Sequence, residues 1–362
     1  MNPLLIAQNL RTDYLQLLRS TFRPRQRDLF ASFNREIEKP GFLIRDPFIS
    51  LAQPFRNGKP LTELDVLTRQ RFGAIAEQPY LHQADACRRI MSGQATVVAT
   101  GTGSGKTEAF LIPIIDHCIR ARAAGAGDGL KAILIYPMNA LATDQAGRIR
   151  EHLRGTEISF GRYTGETKFV GERRDDQPDN ERVLRTEFRK SPPDLLLTNY
   201  LMLEYMLMRG DGRDIFKNHQ IRFIVLDEVH TYHGVLGTDV ASLLRRLSAS
   251  LGRASAAKGS QSSKPIYIGT SATLQAGGNE DPRVGVAQFF SQLTGVSTPP
   301  EAVITEAIDP PAMPAGAHLP ASPNISYEDL KEFDADDAGI VRSLLAKMAG
   351  VPVWRLAGLA PP

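Results

Sequence analysis

Residues 95–107 read ATVVATGTGSGKT, and this stretch decides the kind of fold that the chain adopts. Its opening run, Ala95–Ala99, is rich in β-branched and small apolar residues and predicts a short buried strand. The glycines that follow predict a tight turn, and residues 108–119 have the periodicity of a helix. A strand, a glycine-rich turn and a helix start gather backbone N–H groups and the positive end of a helix dipole around one point. Such a point suits a polyphosphate.

The turn comes close to the G-x-x-x-x-G-K-[ST] pattern of phosphate loops, but Thr100 stands where the pattern has its first glycine. From the intact second half we expect Lys106 to bridge the β- and γ-phosphates of a nucleotide and the Thr107 hydroxyl to ligate Mg²⁺. The alternative is an ordinary glycine-rich turn with a surface lysine. The predicted nucleotide cradle comprises Thr102, Gly103, Ser104, Gly105, Lys106 and Thr107.

Further short apolar runs alternate with helical stretches, which is the pattern of a parallel sheet covered by helices. Several runs are apolar throughout, as strands are when both faces of the sheet are buried. We therefore predict one doubly wound, RecA-like α/β domain over residues 79–297. The runs are Ala132–Tyr136, Ile158–Tyr163, Leu195–Thr198, Phe223–Leu226 and Ile266–Thr270.

The rest of the chain divides into three segments by composition. Residues 1–78 contain short helical patterns broken by prolines and are predicted to form a mainly helical and irregular accessory segment. Residues 298–323 are rich in proline and alanine and are predicted to be a linker. Residues 324–362 carry spaced apolar positions that are compatible with one or two helices.

Composition rules out several classes of protein. Two cysteines are too few for a disulfide framework, a four-thiolate zinc site or an iron–sulfur cluster. The 43 basic and 40 acidic residues leave a formal charge of +3, so a nucleic-acid surface has to come from local placement. No apolar run approaches the roughly 18–20 residues that span a bilayer. We expect a soluble, cytoplasmic protein without a membrane partner.

Two adjacent acids, Asp227 and Glu228, follow the apolar run Phe223–Leu226. Open α/β sheets place their ligands at such strand ends. We expect Asp227 to hold Mg²⁺, directly or through water, and Glu228 to orient and deprotonate an attacking water. The alternative is that the acids cap the following helix. His230 and His233 lack a third strong ligand at a recognisable spacing, so coupling or packing is predicted for them and not zinc.

Six short motifs follow one another in an order that resembles the first RecA-like domain of superfamily 2 helicases of the DEAD/DEAH type. The stretch DEVHTYHGVLG at 227–237 resembles, more narrowly, a branch of DNA helicases. That branch includes the bacterial mitomycin-repair helicase, its fungal RecQ4-like relatives and large helicases of phage-defence systems. The motifs are His82-Gln83, residues 102–107, Tyr136–Leu141, Thr198–Leu203, Asp227–His230 and Thr270–Thr273.

The resemblance implies roles for further residues. Gln83 would read the adenine edge, because an amide offers one donor and one acceptor, and Tyr80 would stack nearby. Ser271 and Thr273, together with His230, would couple the nucleotide site to strand movement. The alternatives are a helix-surface glutamine at 83 and a capped helix start at 271–273. The resemblance implies contacts with the nucleic-acid backbone for Pro137, Asn139, Gly165, Thr198 and Asn199. The alternative for all of these except Gly165 is local turn and cap chemistry.

These features imply an ATP-dependent helicase or translocase that uses ATP and Mg²⁺, with DNA favoured over RNA as its partner. No second set of strands and no Q-x-x-G-R-x-G-R-like motif follows Thr273. We therefore expect the second RecA-like lobe, which supplies arginine fingers, to come from the rest of a longer chain or from a partner subunit. Without it, we expect binding of ATP and Mg²⁺ but little hydrolysis and no unwinding.

Two other functions remain open on the sequence. One is a nucleic-acid-dependent ATPase that remodels its substrate without separating strands. The other is a scaffold subunit that uses nucleotide only as a conformational switch. DNA repair and phage defence are both open as pathways.

Overall fold

The computed structural model describes residues 3–39, 42, 54–125, 127, 129–171, 177–209, 214–216, 220–256, 264–272, 281–309 and 338–349. The chain divides into two packing units. One comprises residues 1–54 and 310–362, and the other is Phe55–Asp309. The larger unit extends beyond the predicted interval 79–297 at both ends.

The larger unit is built on a parallel sheet, which has eight strands within the described ranges. The strands are β1 (Thr96–Ala99), β2 (Ala132–Tyr136), β3 (Phe160–Tyr163), β4 (Glu181–Arg182), β5 (Leu195–Asn199), β6 (Phe223–Leu226), β7 (Ile266–Ser271) and β8 (Val303–Thr305). They lie in the order β4–β3–β5–β2–β6–β7–β1–β8, and neighbouring strands run parallel. All six predicted strands are present within two residues of their predicted ends. The predicted α/β fold is confirmed.

Helices cover the sheet and also form the described part of the smaller unit. The smaller unit contains α1 (Pro3–Thr21), α2 (Arg27–Ile37) and, at its far end in the chain, Ala338–Ala349. The larger unit contains α3 (Val66–Glu77), α4 (Leu81–Met91), α5 (Lys106–Ala123), α6 (Asn139–Leu153), α7 (Arg185–Lys190), α8 (Tyr200–Met208), α9 (Gly234–Ala256) and α10 (Pro282–Thr294). Short 3₁₀ turns occupy Asp214–Phe216, Val229–Thr231 and Pro300–Ala302.

The core lies on both faces of the sheet, as strand β2 illustrates. Ala132, Leu134 and Tyr136 pack into one buried cluster, whereas Ile133 and Ile135 pack into the other. Because successive side chains of a strand point to opposite faces, an unbroken apolar run indicates a strand covered on both sides. Full burial of each such aliphatic side chain stabilises the fold by about 1.5–3 kcal/mol.

Two predicted segments meet the larger unit at its edges. Residues 55–78, the end of the predicted accessory segment, belong to this unit and include α3. Residues 298–309, the start of the predicted linker 298–323, include β8, which pairs with β1 from Val97 to Ala99. The remainder of the predicted linker, residues 310–323, lies outside the described residues. Of the predicted helical extension, residues 324–362, the structure describes Ala338–Ala349. Among the helices that the structure describes, none is long and apolar enough to cross a bilayer.

Candidate functional site

The turn between β1 and α5 has a backbone that requires glycine. Gly103 and Gly105 have φ angles of 79° and 75°, in the left-handed region that L side chains rarely adopt. A Cβ atom at Gly105 would also collide with the amide of Gln83. The φ angle therefore favours glycine at position 105, and an added Cβ would also displace the end of the Gln83 side chain. Helix α5 begins at Lys106, directly after this turn, and a helix N-terminus favours a bound phosphate.

Thr100, which departs from the strict phosphate-loop pattern, fits the turn without strain. It is not among the described residues with a positive φ, so glycine is not needed there. The Thr100 hydroxyl lies 2.6 Å from the Ser104 hydroxyl, and its N–H donates to the carbonyl of Ser271 at 3.2 Å. The Lys106 Nζ atom donates to the Thr100 carbonyl at 3.0 Å. Thr100 therefore closes the loop with a side-chain hydrogen bond that glycine lacks.

The residues predicted to recognise adenine lie beside this turn. The Gln83 Oε1 atom accepts a hydrogen bond from the Tyr80 N–H at 3.0 Å, and its Nε2 atom donates to the Gly105 carbonyl at 3.1 Å. The rings of Tyr80 and His82 stack with 5.6 Å between their centroids. Tyr80, Gln83, Gly103 and Gly105 all line one cavity of about 480 Å³. The structure thus brings the predicted base-binding and phosphate-binding residues to a common pocket.

Asp227 is held at the end of β6 by a neighbouring strand. The Thr270 hydroxyl at the end of β7 donates a hydrogen bond to the Asp227 carboxylate and accepts one from the Glu228 N–H at 3.1 Å. Burial raises the pKa of Asp227 above its usual value, and the negative charge of Glu228 adds to this rise. The Thr270 hydrogen bond and the positive charge of Lys106 act in the opposite direction. The Asp227 carboxylate therefore interacts electrostatically with Lys106 of the phosphate loop.

Glu228 has a strained backbone and a largely buried carboxylate. Its φ and ψ are 49° and 53°, and it is the one described residue other than glycine with a positive φ. Strain of this kind is found most often at functional sites. Its Oε2 atom is buried without a hydrogen-bond partner in the described part of the chain, and it lies 3.3 Å from His230 Nδ1. The Ser271 hydroxyl also lies 3.3 Å from that nitrogen. His230 therefore contacts both Ser271 and Glu228 through the same ring nitrogen.

Strand β7 joins the phosphate loop to the acid pair. It lies between β1 and β6, and all three run parallel, so their carboxyl ends share one edge of the sheet. Thr270 contacts the acids on one side, and the Ser271 carbonyl accepts from Thr100 on the other. Strands lie about 4.8 Å apart. The loop and the acids, on strands separated by β7, are thus about 10 Å apart at the backbone.

The donor set suits magnesium rather than zinc. Among the residues that the structure describes, no group of three or more His, Cys, Asp and Glu is placed to hold a metal ion. Mg²⁺ at a nucleotide needs only one or two carboxylates, together with phosphate oxygens and water. Thr107, in the first turn of α5, and Asp227 fit that requirement. His233 lies with its Nδ1 atom 3.0 Å from the His230 carbonyl, a local contact.

Three of the predicted nucleic-acid residues meet at the carboxyl ends of β2 and β5. The Asn199 Nδ2 atom donates to Asn139 Oδ1 at 2.7 Å, and its Oδ1 atom caps α8 by accepting from the Met202 N–H at 2.7 Å. The Thr198 hydroxyl donates to the Tyr163 carbonyl at the end of β3, at 2.8 Å. The cap chemistry considered as an alternative for Asn199 is thus present, and the same side chain also ties two strand ends together.

The other two predicted nucleic-acid residues lie on either side of this network. Pro137 directly follows β2, and Gly165 lies in the turn after β3. Next to Gly165, Glu166 accepts hydrogen bonds from Arg162 at 3.0 Å and from Asn139 at 3.4 Å. The arginine holds the pKa of the Glu166 carboxyl below its usual value. This arginine also offsets the negative charge that Glu166 brings to the edge.

The sequence analysis does not identify two residues that the structure places at the site, Glu306 and Thr270. The Glu306 carboxylate, just after β8, accepts a hydrogen bond from the Gly101 N–H at 2.8 Å. Thr270 lies in the motif Thr270–Thr273, for which the resemblance implies roles only at Ser271 and Thr273. The position of Thr270, at the end of a predicted strand and directly before Ser271, is a signal for a site residue. The sequence around Glu306 contains no such signal. Thr273 lies outside the described residues.

Comparisons with known proteins agree with this geometry. Residues 80–280 match the family described as DEAD/DEAH box helicase. The chain is 30% identical to the Druantia protein DruE of Escherichia coli (strain UMEA 4076-1), over 68% of this chain and 19% of that protein. It is 28% identical to the uncharacterized ATP-dependent helicase YprA of Bacillus subtilis (strain 168), over 55% and 23%.

A crystal structure of the DUF1998 helicase MrfA bound to DNA has a TM-score of 0.54 with this chain at 22% identity, and covers 81% of this chain and 39% of that one. This likeness supports the RecA-like fold. The chain spans about a fifth of the length of the two curated relatives. The family predicted from the order of the motifs is confirmed by the match over residues 80–280. The chain belongs to the DEAD/DEAH box helicase family.

Proposed function

We propose that this chain is the first motor lobe of an ATP-dependent DNA helicase or translocase. The observation that carries the proposal is the junction at β7, where Thr270 contacts the acid pair and Ser271 contacts the phosphate loop. The similarity to YprA, which is named an ATP-dependent helicase, supports ATP as the nucleotide. The resemblance of residues 227–237 to a branch of DNA helicases supports DNA as the partner.

Nucleotide binding would use both sides of the turn after β1. The backbone N–H groups between Gly103 and Lys106 and the N-terminus of α5 would bind the phosphates, while Gln83 and Tyr80 would bind the base. The Lys106 ammonium, which donates to Thr100 within the loop, would turn to the β- and γ-phosphates. Thr107 and Asp227 would hold Mg²⁺, which neutralises phosphate charge when bound.

Glu228 would orient the attacking water and accept its proton. Its buried Oε2 atom lies 3.3 Å from His230 Nδ1, and the Glu228 side chain keeps 23% exposure, through which the water would reach the carboxylate. The strained backbone fixes the direction of the side chain. His230 lies between Glu228 and Ser271, and this pair of contacts would couple the state of the nucleotide to strand β7.

Nucleic acid would bind along the carboxyl ends of β2, β5 and β3. Pro137, Asn139, Gly165, Thr198 and Asn199 would grip its backbone through small polar side chains and helix N-terminal amides, without reading sequence. A second RecA-like lobe, from the rest of a longer protein or from a partner subunit, would supply the arginines that stabilise transition-state charge. We propose that hydrolysis is weak and unwinding is lost without that lobe.

The experiment compares Glu228→Gln with the matched control Glu301→Gln, which changes an exposed carboxylate outside the site. Binding of a fluorescent ATP analogue with Mg²⁺ should be kept in both variants. Turnover, measured with a second lobe and single-stranded DNA present, should fall about 10²- to 10⁴-fold in Glu228→Gln alone. Unchanged turnover in Glu228→Gln would refute the assignment of Glu228.

Strand displacement by the same assembly separates a helicase from a remodelling ATPase. Release of a labelled strand that depends on ATP supports the helicase. DNA-stimulated turnover without strand release supports the remodelling ATPase instead. Nucleotide binding without turnover in the complete assembly supports the switched scaffold.

A further inference from the structure

The turn that follows β3, residues 164–171, presents an exposed aromatic ring. The Phe169 side chain is 50% exposed, and the neighbouring Val170 is 71% exposed. The guanidinium carbon of Arg189, on α7, lies over the Phe169 ring at 4.9 Å from its centroid. The arginine covers part of the ring by a cation–π contact, and half of the side-chain surface remains open to a ligand.

The ring stands on a backbone that is fixed in place. The Thr164 N–H donates to the Thr167 hydroxyl at 2.9 Å, and that hydroxyl donates to the Arg162 carbonyl at 3.0 Å. Arg185 ties the far side of the turn, because its N–H donates to the Lys168 carbonyl at 2.9 Å and its Nε atom to the Thr167 carbonyl at 2.8 Å. A turn held in this way loses little conformational entropy when a ligand binds.

The position and charge of the turn favour one class of ligand. The turn contains Gly165 and Glu166, and Glu166 contacts Asn139 of the proposed nucleic-acid edge. Arg189 adds positive charge at the ring itself, and the turn also carries Lys168 and is bonded by Arg185. An open aromatic face among cations is the combination that binds single-stranded nucleic acid, because the bases stack and the phosphates are attracted.

We propose that Phe169, backed by Arg189, is a stacking platform for an unpaired nucleobase of a single strand bound along the carboxyl ends of β3, β5 and β2. The inference rests on the proposed function, and it adds a base contact to a site otherwise made of backbone contacts. Stacking does not distinguish the bases, so the platform holds the strand without reading its sequence.

The test compares two labelled strands of equal length, an oligothymidine and an abasic strand that keeps the phosphates but lacks the bases. Anisotropy titrations of the full chain measure the affinity for each. Phe169→Ala should weaken oligothymidine binding about 5- to 150-fold and leave abasic-strand binding unchanged. Phe169→Trp, which keeps an aromatic ring at this position, should retain the preference for oligothymidine over the abasic strand. Leu67→Ala, which removes an exposed side chain on α3, is the control and should change neither affinity.

Each other outcome contradicts the platform. If Phe169→Ala keeps full affinity for oligothymidine, or weakens both strands equally, the ring does not stack on a base. Either result leaves the proposed function standing. If the unaltered chain binds neither strand, nor an oligouridine of the same length, the proposed nucleic-acid contacts fail and the platform fails with them. Tighter binding of oligodeoxyuridine than of oligouridine, which carry the same base on different sugars, identifies DNA as the strand that the platform takes.

Discussion

Replacing Gly105 by alanine tests the geometry of the nucleotide pocket, and Gly125→Ala is its matched control. Both glycines have left-handed backbones, with φ angles of 75° and 81°. An L residue in this conformation costs about 1–2 kcal/mol, so both variants should lose that much unfolding free energy. No atom lies within 4 Å of a Cβ at Gly125, whereas a Cβ at Gly105 collides with the Gln83 amide.

The collision adds a second loss at Gly105. Gln83 would have to give up its hydrogen bonds to Tyr80 and to the Gly105 carbonyl, of 3.0 and 3.1 Å. Each such bond contributes about 0.5–1.5 kcal/mol, so the further loss is about 1–3 kcal/mol. Because Gln83 and Gly105 both line the pocket, affinity for a nucleotide should also fall by at least about tenfold.

Two measurements on each variant check this reasoning. Urea unfolding followed by circular dichroism reports the loss of stability, and titration with a fluorescent ATP analogue reports affinity. Gly125→Ala should show the smaller destabilisation and the affinity of the unaltered chain. Equal destabilisation in the two variants, together with full nucleotide affinity in Gly105→Ala, would refute the proposed contact between Gln83 and the phosphate loop.

Two further predictions concern the partners of the site. Thr270→Val should move the acid limb of Mg²⁺-dependent nucleotide binding to higher pH, because the lost hydrogen bond had stabilised the charged carboxylate and so lowered the pKa of Asp227. The control Thr238→Val should leave the limb where it is, and an unmoved limb in Thr270→Val would contradict the role of this hydrogen bond. Glu306→Ala should weaken nucleotide affinity about three- to tenfold in the same titration, because the Gly101 N–H loses its acceptor, whereas Glu306→Gln keeps an acceptor and should retain most of the affinity. Equal affinity in all three forms would show that this contact does not support the loop.

The sequence predicts the sheet well because its signals are local. Runs such as Ala132–Tyr136 are apolar throughout, which marks strands buried on both faces, and they are found where predicted. Strand β8 is different. It has three residues, Val303–Thr305, at the edge of a proline- and alanine-rich stretch, and it becomes a strand by pairing with β1. Its three residues, Val-Ile-Thr, favour a strand, but a run this short in a proline- and alanine-rich stretch does not show that it pairs with β1.

The same contrast applies to the site. Gly105, Lys106 and the acids at 227 and 228 stand in short patterns whose chemistry is set by neighbours in the chain. The contact of Glu306 with Gly101 joins residues 205 positions apart, so no short sequence motif predicts it. Thr100 departs from the G-x-x-x-x-G-K-[ST] pattern, but in the structure its hydroxyl is hydrogen-bonded to the Ser104 hydroxyl and closes the loop.

A crystal structure of the chain with a non-hydrolysable ATP analogue and Mn²⁺ in place of Mg²⁺ tests the central claim most directly. The account predicts that the triphosphate lies on the backbone of residues 103–107, with the anomalous peak of the manganese between the Thr107 hydroxyl and the Asp227 carboxylate. A nucleotide bound elsewhere, or one whose metal lies far from Asp227 and Glu228, would contradict it.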